Sequence, residues 1–300
     1  MKLTKVLTWL IVLVVFVGLM WIASLLTGPE GTKIQGLAWL LWTAIAAVAI
    51  YIVYFATQAS EAWTVGTRQV VYMAIGAALY GVFAYLFNGT VFAVPSVSLV
   101  SIRPAIAIPV FFGYVFGPVV GFFTGAVGNI LGDFLTGWGV FPVWDIGNGL
   151  IGLVAGLVML FPDKKKSLNW MTIVVTALLV VAVVLVVVKP VVAHPWTGED
   201  TSFTGFIYVI LIGSALVLLA RFLLRYLGED TALINLWGAL GIVIGIGFAA
   251  FADIWVNGYT FFVAMVGEFV PAAGPNIINA AILAPILLAA YKAVQSRTGR

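Results

Sequence analysis

Four acidic residues stand apart from the other charges of the chain: Asp133, Asp145 and Asp253 at or near the ends of long apolar runs, and Glu268 in the outer loop before the last one. Asn129 lies four residues before Asp133, Asn148 lies three after Asp145, and Asn276 and Asn279 are three apart. Spacings of three and four put side chains on one helical face, so each pair presents two hydrogen-bonding groups to the same side. Trp138, Trp144, Trp255 and Tyr259 accompany them, and Arg103 opens another apolar run. Singly, Asp and Asn cap helices, and Trp and Tyr mark the interface belts of any membrane protein. Jointly, from separate helices at one depth, they would enclose a pocket, because charged groups at membrane depth turn towards a cavity or a partner. Such a pocket offers hydrogen bonds and stacking surfaces to a small polar molecule. Arg103 would meet an anionic group of that molecule or pair with one of the carboxylates. The surplus of carboxylates over Arg leans towards a cationic or donor-rich ligand.

Other chemistries are excluded by what is missing. The chain has no cysteine, which removes disulfides and thiolate metal sites. Its one histidine, His194, sits in the loop Pro190–Glu199 and reads as a solvated loop residue. There is no GxxxxGK[ST] phosphate loop, no GxSxG and no HExxH. No catalytic residue, metal or cofactor is therefore expected. An active transporter built from this chain must couple to an ion gradient or borrow ATP hydrolysis from partners.

The elements that position these residues follow from composition. Of 300 residues, 63% are hydrophobic and 8% charged, and the mean hydropathy is +1.18. A soluble domain carries roughly 25% charged residues, so lipid is the solvent that suits this chain. Crossing the hydrocarbon takes about 20 apolar residues as a helix, since backbone groups in lipid must be satisfied within the segment. The pattern predicts an all-α integral membrane protein of about ten spans: Val6–Leu26, Gly36–Thr57, Gln69–Phe87, Pro104–Phe116, Val119–Thr136, Gly147–Phe161, Trp170–Val188, Phe203–Leu227, Ala232–Ile254 and Pro275–Ala293. The fourth and sixth are short. The first exceeds a signal-peptide core and lacks a cleavage site, so it reads as a retained span. With the N-terminus inside, 11 of the 14 Lys and Arg residues fall on the cytoplasmic side, against Lys33, Arg103 and Lys189 outside. That asymmetry follows the positive-inside rule and places both termini in the cytoplasm of a cell-membrane protein.

Small residues recur every three or four positions at Gly117, Gly121 and Gly125, with Gly128 and Gly132 following, at Gly149, Gly152 and Gly156, and at Ala74, Ala78 and Gly81. Such stripes let helix backbones approach closely, within one chain or against another subunit.

The run Phe116-Gly-Pro-Val-Val-Gly-Phe-Phe-Thr-Gly-Ala-Val-Gly-Asn-Ile-Leu-Gly-Asp133, preceded by Arg103-Pro-Ala, resembles the substrate-binding S component of energy-coupling factor (ECF) transporters. Trp144-Asp-Ile-Gly-Asn-Gly-Leu-Ile-Gly152 and Gly274-Pro-Asn-Ile-Ile-Asn279 continue the likeness. The resemblance implies a six-helix core that binds a vitamin or similar micronutrient at its outer end. It further implies docking on a transmembrane T subunit driven by two cytosolic ATPases, with Ala74 and Ala78 matching the docking motif of the first core helix. The substrate-binding candidates are then Arg103, Asn129, Asp133, Trp138, Trp144, Asp145, Asn148, Asp253, Trp255, Glu268, Asn276 and Asn279. This chain is longer than the usual family member. The expected parse is a two-helix extension (1–60), the first four core helices (61–166), an inserted hairpin (167–228) and the last two core helices (229–300). A stand-alone secondary transporter and an intramembrane enzyme using two outer carboxylates are the competing readings.

Overall fold

The computed structural model describes Val14, residues 38–88, 93–98 and 100–298, without the side chains of Arg225 and Thr298. The expected first span, Val6–Leu26, lies outside the described residues apart from Val14. The described residues form nine apolar helices: α1 (Ala38–Thr57), α2 (Thr67–Phe87), α3 (Ala107–Phe116, preceded by the 3-10 turn Pro104–Ile106), α4 (Pro118–Thr136), α5 (Pro142–Gly156, extended by the 3-10 turn Leu157–Leu160), α6 (Lys164–Val188), α7 (Phe206–Phe222), α8 (Glu229–Val256) and α9. The last begins as Phe261–Ala264, widens into a π-turn at Met265–Phe269 and continues as Val270–Thr298. Seven of these are long and apolar enough to cross a membrane, and α3 and α7 are shorter. The chain is a multi-pass helical membrane protein.

Local sequence sets the boundaries. Pro118 and Pro142 stand in the first turns of α4 and α5, where a missing N–H costs nothing. Gly117 makes the break between α3 and α4 with φ of 103°, a conformation that a Cβ disfavours. Two expectations need correcting. The sixth expected span is not short: its helix starts at Pro142, so Pro142–Leu160 is a full 19-residue crossing. The last helix does not open at Pro275 but at Phe261, behind the Thr260 cap, whose hydroxyl accepts from the Val263 N–H at 3.3 Å. Proline usually opens helices, which drew the boundary to Pro275. Inside a membrane bundle, neighbouring helices and local adjustments of the turn tolerate it. Glu268, expected in an outer loop, therefore lies within the π-turn.

A ring of six helices forms the body. α4 packs between α2 and α5, α8 packs on α5, α9 on α8, and α3 closes the ring against α4, α5 and α9. α6 and α7 pair and lean on α8 and α9, whereas α1 packs on the edge formed by α5 and α8 and is the least buried span among the described residues. Between α6 and α7 the chain makes an antiparallel strand pair, β1 (Val191–Ala193) with β2 (Asp200–Ser202), in the register Val192↔Thr201.

In lipid, helices associate by close packing and not by a hydrophobic drive. A Cβ on Gly121 would lie 2.2 Å from the Gly152 carbonyl, and one on Gly125 would lie 2.0 Å from the Asn148 carbonyl. On the other face of α4, Gly128 and Gly132 receive Tyr80 and Ala84 of α2. The glycine stripes thus pack this chain against itself. Ala74 and Ala78 lie on the exposed side of α2.

α3, at ten residues, rises about 15 Å, half of the roughly 30 Å hydrocarbon core. The chain leading into it is irregular. Ala93 bridges Ser101, and the Val97 N–H donates to the Gly267 carbonyl at 2.9 Å. Non-helical backbone at this depth is tolerated where protein buries it or where it lines a cavity. At the opposite end of the bundle, Asp230 accepts from Lys164 (2.8 Å), Lys292 and the Tyr114 hydroxyl (3.2 Å). That clasp joins α3, α6, α8 and α9.

Candidate functional site

Arg103 enters the bundle just before the short α3, where a longer helix would have filled the space. Its Nε donates to Asn88 Oδ1 at 2.8 Å, Nη1 to Asn129 Oδ1 at 2.6 Å and Nη2 to Asp133 Oδ1 at 3.0 Å. Asn88, just past the end of α2, donates to the same Asp133 oxygen (3.0 Å) and to Thr136 Oγ1 (3.1 Å). Asn129 Nδ2 donates to Asp133 Oδ2 (2.9 Å) and to Asp145 Oδ1 (2.8 Å). One charged knot thereby joins α2, the loop before α3, α4 and α5. Removing a guanidinium and a carboxylate from water is costly, and it is offset only when their remaining polar sites are also bonded, as both carboxylate oxygens of Asp133 are here.

A second set of bonds fixes the neighbouring wall. The Tyr80 hydroxyl donates to Asn148 Oδ1 at 2.6 Å, Asn148 Nδ2 donates to the Trp144 carbonyl at 2.9 Å, and Trp144 Nε1 donates to Asp253 Oδ2 at 2.9 Å. These bonds hold the Trp144 indole and the Asn148 amide each in one orientation.

These two networks border a cavity of about 390 Å³ at the same end of the bundle. Arg103, Asn129, Asp133, Trp138, Trp144, Asn148, Asp253 and Glu268, all expected from sequence, lie on its wall. The Arg103 guanidinium sits 5.9 Å from the Trp138 ring centre, within cation–π reach. Tyr259, in the turn between α8 and α9, also faces it. Burial pushes the Tyr259 hydroxyl well above its ordinary range, with the Glu268 and Asp253 carboxylates adding to the shift. It therefore stays protonated and is a donor. Carboxylates, amides, a phenol and indoles around a void of this size suit a heterocycle with several hydrogen-bonding edges.

Four expected residues stand elsewhere. Asp145 is fully buried behind Asn129 and does not reach the cavity. Its Oδ2 has no hydrogen-bond partner among the described residues. Trp255 points away: it is 54% exposed and packs on Trp42 and Phe251. Asn276 and Asn279 lie off the cavity because α9 starts at Phe261. Asn276 is two turns beyond Glu268, about 12 Å further along the helix. Arg103 pairs with Asp133, the second of its two expected roles.

Sequence reasoning overlooked Asn88, Trp39 and Trp196, and it placed His194 in solvent. Asn88 is buried at the C-cap of α2, a position where a polar residue reads as a plain cap. Trp39, His194 and Trp196 lie on the cavity wall. The correction for His194 has a clear cause: the strand pair folds back over the bundle end and Trp196 meets Tyr259, ring centres 5.8 Å apart.

Fold and site define a polytopic membrane protein with a polar, aromatic-lined cavity at one end of a helical ring. The chain belongs to the S-component family of ECF transporters: the family model described as "ECF-type riboflavin transporter, S component" matches residues 64–217. The match runs through α6 and ends within α7, inside the hairpin expected as an insertion, and stops short of α8 and α9. Similar curated proteins include a UPF0397 protein of Vibrio atlanticus, 40% identical over 100 residues, which are 33% of this chain and 51% of that protein. A UPF0397 protein of Aliivibrio fischeri is 37% identical over 100 residues, and one of Aliivibrio salmonicida is 35% identical over 98, with the same shares of each chain. The chain spans about half the length of the curated relatives it matches. No solved structure matches it.

Proposed function

We propose that this chain is the substrate-binding subunit of an ECF-type importer and that its cavity captures a vitamin-like heterocycle from outside the cell. The observation that carries this reading is the pre-bonded cavity wall of indoles, amides and carboxylates between the Arg103 knot and Tyr259. Riboflavin, named in the family description, is the first candidate. Its tricyclic ring suits flanking indoles, and its ring N–H and ribityl hydroxyls are donors for carboxylates and amide oxygens. In this reading the cavity end faces outward and both termini lie in the cytoplasm of a cell-membrane protein. The exposed Ala74–Ala78 stripe of α2 meets a T subunit carrying two ATPases. The core is the ring α2–α5 with α8 and α9, and α1 and the α6–α7 hairpin are additions.

Purification in mild detergent, followed by mass spectrometry of the small molecules that remain bound, tests the proposal. A flavin or related heterocycle recovered in near-stoichiometric amount is expected from the unaltered chain, and none from an Asn148→Leu variant. Equal recovery from both proteins would place the molecule outside this cavity.

A further inference from the structure

Three side chains of the cavity wall come from outside the six-helix ring. Trp39 belongs to α1, and His194 and Trp196 to the strand pair between α6 and α7. Neither segment is needed to close the ring, yet each is anchored so that its aromatic residue arrives at the same opening. α1 is fixed by Trp42, whose ring lies 5.7 Å from Phe248 and 5.2 Å from Trp255 of α8. Trp39 stands one helical turn before Trp42 and so shares its face. The strand pair is fixed at its base by Val192 and Phe203, both almost fully buried, and by the Phe203 N–H donating to the Pro190 carbonyl at 2.8 Å. Its tip carries Trp196, 61% exposed although it borders the cavity and touches Tyr259.

A large indole left exposed at the mouth of a pocket, on a hairpin with a buried base, has surface to give to a ligand. His194 Nδ1 faces the backbone N–H groups of Trp196 (3.4 Å) and Thr197 (3.3 Å). In the neutral imidazole that arrangement keeps the proton on Nε2, as a donor.

We propose that α1 and the β1–β2 hairpin build a second tier of the binding site, in which Trp39 and Trp196 grip the part of the ligand that projects beyond the Arg103–Asn129–Asp133 wall. The tier sets specificity: it favours ligands with an extended aromatic or amphipathic body over compact ones that the ring alone would enclose. It rests on the reading of this cavity as a heterocycle site.

Riboflavin titrated into the detergent-solubilised full-length chain, followed by quenching of flavin fluorescence, tests it. Trp39→Ala and Trp196→Ala should each weaken binding roughly tenfold, as loss of an aromatic stacking partner does, and Trp39→Phe and Trp196→Phe should stay within about threefold of the unaltered chain. Melting temperatures are measured alongside. If both alanine variants bind as tightly as the unaltered chain while Asn148→Leu does not bind, the second tier is refuted and the cavity reading stands. If Phe and Ala variants weaken binding equally and melt earlier, the indoles are structural supports and the inference fails. If the unaltered chain does not bind riboflavin, the cavity reading and the second tier fall together.

Discussion

Replacing Arg103 by methionine probes the buried knot most sharply. The guanidinium reaches three acceptors at 2.6 to 3.0 Å and supplies the counter-charge to Asp133, whose side chain is 4% exposed. In Arg103→Met, Asp133 keeps the Asn88 and Asn129 donors, and Asp145 lies just across the Asn129 amide. Two buried carboxylates then share one neighbourhood without their cation. Breaking such a pair from one side costs about 3–5 kcal/mol, because the remaining charge stays desolvated. Asp133→Asn in the same background removes that charge, so the double variant should recover to within about 2 kcal/mol of the parent. The assay is reversible unfolding in mixed detergent micelles with added SDS, read by tryptophan fluorescence on the parent, both single variants and the double. A coupling energy above about 2 kcal/mol is expected. Additivity within about 0.5 kcal/mol, the behaviour of independent sites, would refute the reasoning that Arg103 and Asp133 form one unit.

Three other outcomes follow from the packing. Gly125→Ala puts a methyl group against the Asn148 carbonyl, so stability in the same assay should fall by about 1–3 kcal/mol and ligand affinity should fall with it, since Asn148 itself is displaced. Asp230→Asn loosens the clasp on Lys164 and Lys292. Because those lysines are half exposed, the loss should be below about 1 kcal/mol and should shrink further at high salt, seen as converging melting temperatures. Ala74→Leu with Ala78→Leu changes only an exposed stripe. Stability should move by less than about 0.5 kcal/mol and ligand binding should not change, whereas uptake into vesicles containing the T subunit and ATPases should be abolished.

Much of the fold is written in the apolar runs, because lipid forces each of them to be a helix. The i,i+4 pair Asn129 and Asp133 and the i,i+3 pair Asp145 and Asn148 fall where the networks form, since helical spacing fixes which residues share a face. Depth was harder to read. Pro275 looks like a helix start only if the π-turn at Met265–Phe269 is unknown, and that error carried Asn276 and Asn279 to a level they do not occupy. Trp255 and Trp144 are alike in sequence, each within two residues of an Asp, but Trp144 borders the cavity whereas Trp255 turns to the outer face, 54% exposed and packed on Trp42 of α1. His194 and Trp196 could not be placed from spacing, since a hairpin's path over the bundle depends on contacts such as Trp196 with Tyr259 that no periodicity encodes.

An experimentally determined structure of the chain with riboflavin bound tests the central claim most directly. The flavin ring is expected between the Trp138 and Trp144 indoles, with its polar edge within hydrogen-bonding distance of Asn129 or Asp253 and its far end under Trp196. A flavin seated on the lipid-facing surface, with this cavity unchanged, would contradict the account.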